Sequence, residues 1–244
     1  MISEVDVVVR KKEGLLPNRM RTNSNLLLAK VHKVQTSRPV QKELIRLVQR
    51  LFLSGSSVQA VVFSAVDGGS GSTFISTQTA EILANQLGEP VCLVDANFRS
   101  PRINQHFEVE DWNGRRGIEE LTLMPAATND AEAKKSNLWL VVYRPSYADC
   151  PRLASLDRLQ SLIADLRKRF TYIIIDAAPL IGYPDATLFA RMSDGLVMVL
   201  EANYTRRETA RKAKQLVETS GGSVLGAVLN RRDFPIPEML YRRL

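Results

Sequence analysis

Six short apolar runs punctuate the chain: Ala60–Phe63, Val91–Val94, Leu138–Tyr143, Tyr172–Ile175, Leu196–Leu200 and Val224–Leu229. Their apolar positions are consecutive rather than alternating, as expected of strands covered on both faces. Between and before them the spacing changes to that of helices. From Gln41 to Phe52 the apolar positions are Leu44, Ile45, Leu47, Val48, Leu51 and Phe52. Thr73–Leu87 reads as a second helix, ended by Gly88 and Pro90. Leu153–Phe170 gathers Leu156, Leu159, Leu162, Ile163 and Leu166 on one side, and Thr205–Val217 completes the set. Strands alternating with helices predict an α/β domain built on a doubly wound, mostly parallel sheet flanked by helices. Residues 1–38 are polar, with Pro17 inside and Pro39 just beyond; they are expected to form a flexible, extended arm ahead of one domain over 39–244. Thr128–Ser136 reads as a surface loop.

Four runs end on or just before a polar residue: Ser64, Asp95, Asp176 and Asn230. Open α/β sheets bind ligands outside the carboxyl ends of their strands, so these residues point to one site. The turn after the first run reads Phe63-Ser-Ala-Val-Asp-Gly-Gly-Ser-Gly-Ser-Thr-Phe74. Phosphate-binding loops need glycines that let backbone N–H groups curl around phosphate oxygens. They also need a following helix N-terminus, a lysine for the terminal phosphates and a hydroxyl for magnesium. Gly69, Gly71 and Thr73 meet the glycine and hydroxyl requirements, but the lysine position holds Ser72. No lysine occurs between Lys42 and Lys134 that could replace it from nearby in sequence.

Composition narrows the classes. The chain has 244 residues, 45% of them hydrophobic, enough for a packed core. No apolar run is long enough to span a bilayer, and Met1–Lys12 has its acidic pair before and its basic residues after a short valine run, the reverse of a signal peptide. A cytoplasmic protein is expected. Cys92 and Cys150, with His32 and His106, lack metal-ligand spacing, and Cys92 reads as a buried strand residue. The net charge of +7 gathers at Arg10–Lys12, at Arg206, Arg207, Arg211, Lys212 and Lys214, at Arg231-Arg232 and at Arg242-Arg243. No aromatic residues interleave these charges as in nucleic-acid platforms, so a solvated basic surface is favoured over nucleic acid.

Two further motifs follow in order: Val91-Cys-Leu-Val-Asp-Ala-Asn-Phe-Arg-Ser-Pro101 and Tyr172-Ile-Ile-Ile-Asp-Ala-Ala-Pro179. With the loop they resemble the bacterial tyrosine kinases of capsule and exopolysaccharide synthesis, the CpsD/CapB-like P-loop proteins. Asp95, Arg99, Pro101 and Phe107 match the second acidic motif, Asp176 and Pro179 the Walker B strand, and Asp185-Ala186 and Asp194-Gly195 the spacing after it. Val224–Asn230 resembles the strand whose asparagine contacts the base, in this family and in the related MinD/ParA-like ATPases. The match runs from about residue 41 to 232. It implies a P-loop NTPase fold, with Gly69, Ser70, Gly71, Ser72, Thr73 and Asn230 at the nucleotide, Thr73 and Asp176 at its magnesium, and Asp95 as a residual catalytic acid. The family carries a Glu-x-x-Arg-x-x-Arg helix used in ring assembly; here Glu43 and Arg46 match and Gln49 does not, which makes Glu43 and Arg46 candidate interaction residues.

Three departures bear on catalysis: Ser72 replaces the lysine, Asn97 replaces the second acid of an Asp-x-Asp pair, and the tail from Phe234 carries one tyrosine, Tyr241, where the kinases carry a cluster. The implied protein is a degenerate, kinase-like regulatory or scaffold subunit of polysaccharide synthesis that binds ATP or ADP with magnesium weakly or not at all. Its expected partners are a membrane chain-length regulator, a true tyrosine kinase of polysaccharide export, or further copies of itself, and a partner would bring it to the inner face of the membrane. The alternatives are an active ATPase or tyrosine autokinase with a non-standard loop, and a MinD/ParA-like positioning ATPase that binds DNA or membrane.

Overall fold

The computed structural model of the chain describes residues 29–31, 37–55, 57–97, 103, 107–109, 122–127, 136–142 and 156–232. In chain order the elements are β1 (Ala29–Val31), α1 (Arg38–Phe52), β2 (Ala60–Ala65), α2 (Ser72–Leu87), β3 (Val91–Ala96), β4 (Phe107–Val109), β5 (Thr122–Ala127), β6 (Leu138–Val142), α3 (Leu156–Arg167), β7 (Tyr172–Ala177), α4 (Asp185–Met192), β8 (Gly195–Glu201), α5 (Arg207–Thr219) and β9 (Val224–Asn230). One nine-stranded sheet has the order β4-β1-β5-β6-β3-β7-β2-β8-β9. All six apolar runs became strands, and β6 through β9 in that order pair in parallel. The expected parallel core is present, and an antiparallel β5–β6 pair joins it to β1 and β4.

Three strands were not anticipated. β1 and β4 have three residues each, and β5, Thr-Leu-Met-Pro-Ala-Ala, carries Pro125 inside it, which argues against a strand. β1 places Ala29–Val31 in the sheet, inside the stretch expected to be an arm; residues 1–28 lie outside the described residues. The N-terminal helix starts at Arg38 and takes Pro39 into its first turn, where a missing N–H costs nothing. The eight-residue α4 was not anticipated as a helix.

The sheet separates two apolar layers, and β2 shows how. Ala60 and Val62 pack with Leu159 and Ile163 of α3, Phe189 of α4 and Ala213 and Val217 of α5. Val61 and Phe63, on the opposite face, pack with Leu44, Val48 and Phe52 of α1 and Ile75 and Leu83 of α2. Period-two alternation thus serves two cores at once, so both sets are apolar. The Phe52 and Tyr172 rings meet edge to face at 5.3 Å. Cys92 is fully buried on β3, and burial pushes its thiol up, which fits a packing role.

At the amino ends of the strands a polar staple fixes the register. Asp194 Oδ2 accepts from the backbone N–H groups of Gln59 (2.7 Å) and Ala60 (2.8 Å), while Arg167 donates to Asp194 Oδ1 at 2.7 Å. The Gln59 amide donates in turn to the carbonyls of Arg167 and Phe170, both at 2.8 Å. One carboxylate thereby ties the starts of β2 and β8 to the end of α3.

Candidate functional site: a phosphate-loop cradle without its lysine

The site lies at the carboxyl ends of β2, β3, β7 and β9. β2 ends at Ala65, and the Val66 N–H donates to the Val199 carbonyl at 2.9 Å. The chain then turns through Asp67–Gly71 before α2 begins at Ser72. Gly69 and Gly71 have φ of 91° and 86°, the left-handed region that side chains disfavour. At Gly71 space is also limiting: an added Cβ would lie 2.5 Å from the Asn230 amide nitrogen. Ser70 is buried, and its hydroxyl donates to the Asp67 carbonyl at 3.0 Å. The first bond of the helix runs from the Ile75 N–H to the Gly71 carbonyl at 3.1 Å. A turn with two left-handed glycines thus runs directly into the N-terminus of α2, where backbone N–H groups are open to an anion.

Asn230, on the edge strand β9, reaches the loop across 160 residues of chain, donating from Nδ2 to the Ser70 carbonyl at 2.9 Å. In this structure it positions the loop. Asp176 is fully buried on β7 and accepts from Thr73 Oγ1 at 2.7 Å. Thr73 and Asp176, the two groups assigned to magnesium by the resemblance, are thus in contact with each other. Asp95 sits beside Asp176 in the β3–β7 ladder and is 2% exposed. Its carboxylate accepts from the backbone N–H groups of Asn97 (3.1 Å) and Ile103 (3.4 Å), which shapes the loop after β3. Ser64 points elsewhere: its hydroxyl donates to the Ala178 carbonyl at 2.6 Å and braces the strand ends. Arg99, Pro101 and Tyr241 lie outside the described residues.

The fit to a nucleotide is split. Backbone geometry and the Thr73–Asp176 pair suit phosphate oxygens and a divalent cation. The charges do not suit a triphosphate: between Ser64 and Thr73 the one ionisable residue is Asp67, and two more carboxylates, Asp95 and Asp176, stand behind the loop. Ser72, the first residue of α2, brings no charge.

Glu43 and Arg46 lie on the solvent face of α1, outside the turn after β2. They form an exposed i,i+3 ion pair with side chains 68% and 64% exposed. The Gln59–Arg167–Asp194 staple was not anticipated as a contact; only the Asp194-Gly195 spacing hinted at it, because its members lie up to 135 residues apart.

No family model matches the chain. Relatives nevertheless do. The tyrosine-protein kinase CpsD of Streptococcus pneumoniae is 27% identical over 195 residues, covering 78% of this chain and 83% of that one. The succinoglycan biosynthesis transport protein ExoP of Rhizobium meliloti is 26% identical over 187 residues, 74% of this chain but 23% of the larger protein. Among solved structures, the kinase domain of the Escherichia coli tyrosine kinase ETK superposes with a TM-score of 0.68 over 96% of this chain and 92% of that one, at 16% identity. MinD in the MinC:MinD complex of Aquifex aeolicus shares the fold at a TM-score of 0.56, with 75% and 72% covered and 19% identity. The P-loop α/β fold, the matches to named tyrosine kinases over most of both chains and the match to a part of ExoP make this protein a relative of the bacterial tyrosine kinases of capsule and exopolysaccharide biosynthesis.

Proposed function

We propose that the chain is a catalytically degenerate relative of these kinases, serving as a regulatory or scaffold subunit of polysaccharide synthesis. One observation carries the reading. The turn is held by its own hydrogen bonds, yet its lysine position is Ser72, the one ionisable residue within it is Asp67, and Thr73 meets the buried carboxylate of Asp176. Phosphoryl transfer relies on positioning and on neutralising phosphate charge, and a lysine serves both. Magnesium held by Thr73 and Asp176 would supply part of that neutralisation, and Asn97 in place of a second acid adds no charge to it. The chain's own residues thus shape a nucleotide site without the charge to hold a triphosphate tightly, and Asp95 acts mainly on the loop after β3.

A scaffold needs partners. Among the described residues no helix is long and apolar enough to cross a membrane. The chain matches 23% of ExoP, a protein named for biosynthesis transport, so the matched unit is one part of a longer chain there. That supports a membrane chain-length regulator, or a complete kinase, as the partner of this chain, with Glu43 and Arg46 on the exposed face of α1 available to a ring or a neighbouring subunit.

Calorimetric titration of magnesium–ATP into the purified chain and into Ser72→Lys tests the reading. Wild-type binding at least about tenfold weaker than the variant's, equivalent to about 1.4 kcal/mol, is the expected result. Wild-type binding as tight as the variant's, with ATP turnover that Asp176→Ala abolishes, would overturn it in favour of an active enzyme with a non-standard loop.

A further inference from the structure

The most unusual surface lies at the β9 end of the sheet. β9 is the terminal strand, and among the described residues no strand pairs with its outer edge. Exposed edges are commonly blunted by charge, proline or shortness. β9 uses none of these: Val-Leu-Gly-Ala-Val-Leu-Asn is seven residues long, uncharged and free of proline. A register irregularity falls near its start, beside Val224, and leaves Gly226–Asn230 regularly paired to β8. The Asn230 carbonyl accepts from the Ala202 N–H at 2.9 Å, so Asn230 turns its backbone toward β8. By alternation along the strand, Ala227 and Leu229 turn theirs outward. Both are exposed, Leu229 at 54%.

The charge beside this edge restricts what can pair with it. α5 covers the same end of the sheet through Ala213 and Val217 and exposes Arg207, Arg211, Lys212 and Lys214. Arg206, Arg207 and Arg211 form no ion pair among the described residues. Arg231 and Arg232 follow β9 directly, with Arg231 on Glu201 at 3.0 Å. A second copy docked edge to edge about a two-fold axis would bring two basic α5 helices together, at an electrostatic cost. An acidic strand would gain where the second copy loses.

We infer that the open edge of β9 is a docking site for an extended acidic segment of another protein, added to the sheet as a further strand. Its backbone bonds to Ala227 and Leu229, and its carboxylates lie on the α5 side, against Arg207 and Arg211. The inference is independent of whether the phosphate loop takes a nucleotide.

Amide hydrogen exchange on the full chain tests it, with a peptide of alternating glutamate and valine, about eight residues long, as probe. The Ala227 and Leu229 amides exchange freely in the chain alone and gain protection with the peptide, and an alternating lysine–valine peptide gives none. Ala227→Pro removes an outward N–H and no ladder bond, so it keeps the fold and weakens binding about tenfold or more. Arg207→Glu with Arg211→Glu weakens it comparably, and the first of these changes favours the start of α5, so the loss does not come from unfolding. Three results would overturn the inference: no protection with the acidic peptide, protection of the chain alone at every concentration (residues 233–244 covering the edge), or protection that grows with protein concentration (a second copy).

Discussion

The two ends of the parallel sheet hold aspartates in opposite ways. At the amino end, Asp194 meets the Arg167 guanidinium and two backbone N–H groups, with its side chain 28% exposed. Burial pushes its carboxyl up, but the hydrogen bonds from Arg167, Ala60 and Gln59 outweigh this and hold it below the ordinary carboxylate value. At the carboxyl end, Asp176 and Asp95 are more deeply buried and meet a threonine hydroxyl and backbone N–H groups. One end places its negative charge where the fold uses it. The other gathers two buried carboxyl groups beside a turn shaped for anions, an arrangement that suits a cation in the site better than a bare phosphate. The difference separates an aspartate that builds the fold from aspartates that shape a binding site.

Mutations should pull the ends apart. The largest effect is expected for Asp194→Ala, which removes the carboxylate that Arg167 and two backbone donors share. Among the described residues it leaves Arg167 only its side-chain bond to the Gln59 side chain. A loss of about 2–3 kcal/mol in urea unfolding is expected, with the slope unchanged. A loss below about 0.5 kcal/mol would mean that water replaces the staple.

Gly71→Ala comes next. Its φ of 86° and the 2.5 Å approach to Asn230 both oppose a side chain, and a destabilisation of about 1–2 kcal/mol is expected. Adding Asn230→Ala removes the contact and not the backbone strain, so the double variant should recover part of the loss and no more. Full additivity in unfolding experiments would show that Asn230 does not hold the loop.

Acid titration sharpens the comparison with a smaller effect. The folded-state value of Asp194 is depressed, so its contribution is complete above the unfolded value of about 3.9 and is lost as pH falls through the folded value. The stability gap between wild type and Asp194→Asn should be flat above about pH 5 and close below about pH 4. A gap that widened on acidification would contradict the sign.

Arg46→Ala should change least, by under about 0.5 kcal/mol, since its ion pair with Glu43 is exposed. A change in oligomeric state without a change in melting, read by light scattering, would give this pair the assembly role that the resemblance implies.

Much of this was legible in the sequence. The apolar runs gave the parallel core because strands covered on both faces must be apolar throughout, and the Gly/Ser turn before a helix gave the cradle because left-handed backbone there requires glycine. Burial of Cys92 followed from the run around it. Less was legible where a contact spans distant sequence. β4 is too short to read, and Pro125 argues against a strand in β5; both are strands because neighbouring strands pair with them.

The sequence alone therefore determined the class of fold, the place of the loop and the missing lysine, since each depends on local residue chemistry. Only the tertiary structure decided that Asn230 braces Ser70, that Asp194 staples two strand starts to a helix, and that β9 ends the described sheet with an open edge. These are relations between residues up to 160 positions apart, and the order of strands that creates them is written in no single segment.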